Sequence, residues 1–408
     1  MLILKNKTIF IFFIILLIPF LTRGLNCEQV KLKEQELQHD AIAINIEVPV
    51  RVFTKGKFVE ELNLEDFEIY EEGVLQKVEA LYLVKKTVIE REETELDKKM
   101  ARRIYLPEVS RTFVLVFEMM DYFPKIEDTL EYFFKNVFLQ DDFLYVVTPL
   151  KTYALKKELL EKTPKEVIVD QLKETLRKDI KSAARELKGM LRELEWLRDE
   201  IVRDEGETGS AAAMAENILR QIRDYRSFDE KKLMGFKDQL KNLEGQKYVF
   251  LFYQKKVVPI PAEIPVPDDI IRPPISFNVD KVKKAFSDSL ISIHFIFVTK
   301  TDQHHLDSYR INPAEQPMGS TPIVLQLIDL SEEIFGAFHE MAEATGGISD
   351  SSANIASSFQ RAALASENYY LLYYTPKNYR SDGKFKKIEV RIRGKNYKVT
   401  HRAGYIAD

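Results

Sequence analysis

Glu118 and Asp121 are the carboxylates that stand where chemistry is expected. An apolar run, Phe113 to Phe117, stops at Glu118, and Met119, Met120, Asp121, Tyr122 and Phe123 follow. Two carboxylates at a strand end could move a proton to or from a substrate, or hold a hard cation through oxygen ligands. No base, nucleophile or oxyanion donor accompanies them, so a hydrolase is the weakest of the readings they allow. His339-Glu340-Met341-Ala342-Glu343 begins like a zinc-protease helix, but Glu343 stands where the second histidine is needed. His304 and His305 could take a metal with Asp302 or Asp307, although adjacent loop residues rarely point the same way. Thr345-Gly346-Gly347 is too short to cradle a phosphate and reads as a helix end. Neither a G-x-S-x-G elbow nor a phosphate-binding or dinucleotide-binding glycine loop is present.

The elements that must position Glu118 follow from residue periodicity. Runs rich in Val, Ile, Phe and Tyr predict strands at 113–117, 143–148, 247–253 and 291–298, with helices at 125–138, 278–289, 331–344 and 353–365. Apolar strands alternating with amphipathic helices predict an α/β class, with a doubly wound, mainly parallel sheet covered by helices on both faces. Ligands of such sheets sit at the C-terminal strand ends, where Glu118 lies.

Around this core the chain divides into further parts. Residues 40–84 alternate as a small β module, 85–110 read as a charged linker, and 366–408 read as a C-terminal β segment with an Asp382-Gly383 turn. The central domain spans 111–365 and is interrupted at 164–243. There Leu172, Leu176, Ile180, Ala183, Leu187, Met190, Leu194, Leu197 and Ile201 form a near-heptad stripe. It predicts a helix of about 50–60 Å, partnered by a second stripe of Met214, Ile218, Ile222 and Tyr225 and later Leu233, Phe236 and Leu240. This helical hairpin, coiled-coil-like, carries seventeen basic and seventeen acidic residues, as suits a solvated surface or an arm that docks another protein. Six prolines within 257–275 predict an extended loop.

Length, charge and the N-terminus narrow the function further. A chain of 408 residues suggests two or three domains, and a net charge of −4 gives no electrostatic case for nucleic acid. Lys5 and Lys7 precede an apolar run from Ile9 to Ile18, predicting a signal peptide over 1–24 with cleavage after Gly24. The protein is then exported, periplasmic or secreted. Lipid attachment at Cys27 or an uncleaved N-terminal anchor is the alternative, and either would give it its contact with a membrane. With one cysteine no internal disulfide can form.

The segments "VPVRVFTKGKFVEELNLEDFEIYEEGVLQKV", "FVLVFE", "LEGQKYVFLFYQ", "MAEATGG" and "ENYYLLYYTPKNYRSDGKFKKIEVRIRGKNYKVTHRAGYIA" resemble the exported bacterial VWFA-related domain proteins of acidobacterial type. The likeness covers most of 40–408 outside the hairpin. It implies a von Willebrand factor type A doubly wound fold with β extensions, outside the cytoplasm and in binding or assembly roles, and it implies no enzymatic activity. The family's metal-ion-dependent adhesion site is Asp-x-Ser-x-Ser after the first strand. Here Glu118, Met120 and Tyr122 occupy those places, and the later aspartate falls near Gln254. A thioether suits neither Mg²⁺ nor Ca²⁺, so the motif is degenerate and no cofactor is expected. The expectation is therefore an exported, non-enzymatic protein-binding or scaffold protein. Met119, Met120, Tyr122 and Phe123 would be its apolar contact patch if exposed, the partner is a protein, and no small-molecule substrate is evident. The alternative is a metal-dependent adhesion module in which Glu118 or Asp121, with water, holds Mg²⁺ or Ca²⁺.

Overall fold

The computed structural model describes residues 44–94, 105, 107–155, 157–203, 209–225, 227–243, 245–299 and 324–408. Residues 1–24, read above as a signal peptide, together with Cys27, His304 and His305, lie outside the described residues. Strands β1 (Ile46–Thr54), β2 (Lys57–Phe58), β3 (Phe67–Glu71), β4 (Val74–Gln76), β5 (Ala80–Lys85) and β6 (Val88–Thr94) come first. Next are β7 (Arg111–Glu118), helix α1 (Lys125–Tyr132), β8 (Phe143–Val147) and β9 (Thr152–Leu155). Helices α2 (Lys157–Lys162), α3 (Lys165–Arg203), α4 (Ser210–Asp224) and α5 (Glu230–Lys241) lead into β10 (Gln246–Gln254) and β11 (Val257–Pro261). Then follow α6 (Asp268–Ile271), α7 (Val279–Asp288), β12 (Ile291–Val298), β13 (Leu325–Asp329), α8 (Glu332–Ala344), β14 (Ser349–Ser352) and α9 (Ile355–Leu364). Strands β15 (Asn368–Tyr374), β16 (Phe385–Ile392), β17 (Lys398–His401) and β18 (Gly404–Ile406) end the chain.

This architecture corrects the expected one. The chain is not organised as a doubly wound parallel sheet of von Willebrand A type with minor β flanks. Among the described residues ten strand pairings are antiparallel and four are parallel. Three of the four sheets hold no parallel pair. The fourth, ordered β14-β12-β10-β7-β8-β9, is mixed because β9 closes it antiparallel to β8. The protein is thus a mixed α/β chain of mostly antiparallel sheets, two of which curl round one core as a half-barrel. The reason lies in the flanks. β15, buried almost throughout, lies between β1 and β5 and joins early and late strands of the described residues in the sheet β17-β1-β15-β5-β6. The sheet β18-β16-β3-β4 packs against it through Val50, Ile69, Leu81, Leu372 and Ile388. Part of the expected linker is also sheet, since β6 pairs with β5.

Local chemistry accounts for the helix boundaries in the mixed-sheet lobe. Asp229, Asn278 and Asn354 cap α5, α7 and α9, accepting from the backbone N–H groups of Lys232, Lys281 and Ser357. Helix α8 ends at Gly346, whose φ of 71° suits glycine, and at Gly347, where a Cβ would stand 1.8 Å from the Ile293 carbonyl oxygen. Helices cover both faces of the mixed sheet. On one, Phe113, Phe250 and Phe252 meet α1, α9 and the first half of α3. On the other, Val249, Leu251 and Ile293 meet α5, α7 and α8.

Buried polar groups tie this lobe to the half-barrel. Glu47 on β1 accepts from Gln246 Nε2 and the Tyr373 hydroxyl, both at 2.9 Å. Arg51 donates to the Ala365 and Gly346 carbonyls and lies over the rings of Tyr248 and Tyr369. Within the mixed-sheet lobe itself, Arg111 and Asp142 form a fully buried ion pair at 2.6 Å. Burial pushes the Asp142 carboxyl above its ordinary value, while Arg111 opposes that shift.

The inserted hairpin also differs from expectation. It is three helices, and their stripes are spent on the protein itself. Ile168, Val169, Leu172, Leu176 and Ile180 of α3 join the core against Phe117 and Phe252. Leu187, Leu191, Leu194 and Leu197 pack on α4 and on the β11–β13 ribbon. That ribbon replaces part of the expected proline loop. Pro259 and Pro261 are tolerated because β11 has β13 as its one partner, leaving the strand's other side free of ladder bonds.

Candidate functional site

The loop after β7 has every side chain committed to a neighbour in the chain. Met119 is fully buried and Phe123 is 5% exposed, both in the α1–α9 core. Tyr122 packs on the edge of the same core, and Met120 turns the other way against the cluster formed by α3, α4 and the β11–β13 ribbon. Of the four residues expected as an apolar patch if exposed, Met119 and Phe123 are buried and Met120 and Tyr122 are half-buried. Alternation down the strand end puts two of them under α1 and α9, and the inserted helices cover the third.

Gln254, at the end of β10, holds this loop. Its Oε1 accepts from the backbone N–H groups of Met120 at 2.7 Å and Asp121 at 2.8 Å. Its Nε2 donates to Asp121 Oδ2 at 3.4 Å. Two adjacent backbone donors would attract a negative oxygen from a ligand, but here a neutral amide of the chain fills that role, and Gln254 is itself buried. A second clamp comes from α3. Arg177 donates to Glu127 Oε1 at 2.8 Å, and its guanidinium lies 5.2 Å from the centre of the Tyr122 ring. The Tyr122 hydroxyl donates to the same carboxylate. Burial, reinforced by that bond, pushes the Tyr122 phenol up to about 12, and the tyrosine hydrogen bond holds Glu127 below the usual carboxylate range.

Glu118 and Asp121, the ligands of the alternative metal-dependent reading, are brought to one loop but face different surroundings. Asp121 meets Gln254, whereas Glu118 lines a cavity on the α5 side of the sheet. Among the described residues no group of three or more His, Cys, Asp or Glu side chains is arranged to hold a metal ion. His339 is exposed on α8, its ring parallel to that of Phe335 and its Nε2 3.6 Å from Glu343. Phe338, Met341 and Ala342 of the same helix are buried in the core.

The cavity beside Glu118 is the feature that residue reading missed. It measures about 370 Å³. Val116, Val249, Leu251 and Ile293 form its floor, and Phe236 of α5, Phe286 of α7 and Phe338 of α8 form its roof. The available signal was the sparse stripe of α5, where Leu233, Phe236 and Leu240 are too few to cover the strands beneath. Comparison with protein-family models, with curated proteins and with solved structures finds no match for the chain.

Proposed function

We propose that the protein is an exported, non-enzymatic protein-binding or scaffold protein, and that its strand-end loop works without a metal. The observation that carries this reading is the double hydrogen bond from the loop to Gln254, with Met120 packed under the inserted helices. A divalent cation at this loop would need hard oxygens where the chain supplies a thioether and an amide already in use. The charged start and apolar run of residues 5–18 support export. No helix among the described residues is long and apolar enough to cross a membrane.

Contact with a partner falls to the helical arm in this reading. Trp196 on α3 is the only tryptophan and is 59% exposed, and Val202 and Met214 are exposed on the same helical pair. An exposed tryptophan is a common anchor of protein interfaces. A photoreactive residue at position 196 should give a single adduct in the producing cell, lost when excess unlabelled chain competes. The same residue at the exposed Val88 should give none. Equal labelling from both positions sinks the arm as contact surface.

Calorimetric titration of the purified chain with Mg²⁺, Mn²⁺ and Ca²⁺ should show no saturable heat in the micromolar range. Micromolar binding that disappears in Glu118→Ala would replace this reading with metal-dependent adhesion.

A further inference from the structure

The cavity between α5 and the mixed sheet has walls of one chemical kind. Twelve of its fifteen lining residues are apolar, and Glu118, Ser227 and Lys232 are the exceptions. Its volume lies within the usual range of small-molecule sites, about 300–1,000 Å³. Ordered water needs two to four polar partners, and the floor of Val116, Val249 and Leu251 offers none. The roof rings belong to three different helices, each fixed independently. Phe286 and Phe338 are buried, and α5 is held by the Asp229 cap and by Lys281, which pairs with Glu230. The space therefore does not close by collapse of one side chain.

We propose that this cavity binds a small, uncharged apolar molecule, with an aliphatic or aromatic body lying between the valine floor and the phenylalanine roof. Lack of charge follows from the lining. Lys232 is 65% exposed in its side chain, and its ammonium is already held by Asp229 and the Ser227 carbonyl, both at 3.2 Å. Glu118 carries the opposite sign at the same lining. An ion of either sign would meet one attractive and one repulsive group, and it would shed water against walls without donors or acceptors. An uncharged body incurs neither cost and gains the whole apolar contact. Glu118 is left to border the site without acting as a counter-ion.

The test is a fluorescence titration of the full chain with N-phenyl-1-naphthylamine, a neutral apolar probe. Saturable one-site binding in the micromolar range is expected. Val249→Phe puts a ring into the floor and should weaken binding at least tenfold with an unchanged circular dichroism spectrum, whereas Trp196→Ala should bind as the parent does. Should Val249→Phe fail to fold, Val116→Phe makes the same obstruction from the neighbouring strand. 1-Decanol should displace the probe at lower concentration than decanoate or decylamine. Three results overturn the proposal: no saturable binding, equal affinity in the folded floor variants, or better competition by either charged amphiphile.

Discussion

On one face of the mixed sheet Phe113 stacks on Phe250 at 6.3 Å, Phe250 meets Phe359 of α9 at 5.0 Å, and Phe117 lies 4.8 Å from Phe252. On the other, strands from the same run leave about 370 Å³ open beneath Phe236. The first face is covered by α1 and α9, helices that alternate with its strands, and by the first half of α3. The second depends partly on α5, which arrives at the end of the insertion with two buried residues, Leu233 and Leu240. A sheet face is thus only as tight as the apolar stripe of the helix laid on it. The contrast places the tighter packing on the first face and the open space on the second.

The largest expected effect tests that division directly. Phe359→Ala removes a fully buried ring from four aromatic neighbours and should cost about 3–5 kcal/mol in urea unfolding. Phe236→Ala takes away a ring that already borders open space and should cost only about 1 kcal/mol. Equal losses would mean that the cavity face is packed as tightly as the other in solution.

Much of this asymmetry is hidden in the sequence for a physical reason. The strands at 113–117, 247–253 and 291–298 were legible because buried strands must be apolar along their length, and the one at 143–148, half-exposed, from its run of Phe, Leu, Tyr and Val. The helices at 278–289 and 331–344 were legible from 3.6-residue periodicity, and they correspond to Val279–Asp288 and Glu332–Ala344. What periodicity cannot give is the partner of a face. The stripe from Leu172 to Leu197 announced a helix needing cover, yet whether that cover is another protein or the chain's own β11–β13 ribbon depends on contacts far apart in sequence. The same limit misplaced the architecture. "NYYLLYY" reads as a strand, but nothing local says that it inserts between β1 and β5 and makes one sheet of strands from far-apart parts of the sequence. It also misplaced the loop after β7, since apolar residues at a strand end look alike whether exposed or covered. Gln254 stood where a charged ligand was expected, and only the structure gives its amide two backbone donors.

A middle-sized effect comes from His294, buried on the tightly packed face with its ring stacked on Phe250 at 4.7 Å. Its Nδ1 accepts from the Ile348 N–H. Burial, with Arg51 nearby, holds its pKa down at about 3. The folded protein therefore keeps this imidazole neutral while the unfolded chain protonates it near 6.5. Stability from this group is complete above about pH 6.5 and is lost as pH falls toward 3, with about 2 kcal/mol gone by pH 5. His294→Gln should flatten the stability curve between pH 7 and pH 5 by that amount. Parallel curves for parent and variant would show that the ring is reached by water and that this face is looser than described.

The smallest effect sharpens the comparison because its sign should differ between the faces. Leu115→Phe adds volume to a wall already filled by rings and should cost about 1–3 kcal/mol through displaced neighbours. Val249→Phe adds more volume, but toward the cavity, where the new ring gains contacts with Phe236 and Phe338 and displaces nothing fixed. It should leave stability unchanged or raise it by up to about 1 kcal/mol, visible as a higher urea midpoint at constant slope. A loss as large as that of Leu115→Phe would mean that the space closes in solution. The packing difference would then vanish, and with it the cavity as a place for a ligand. A gain in stability together with lost probe binding would fix the cavity as open space that packing alone leaves unfilled.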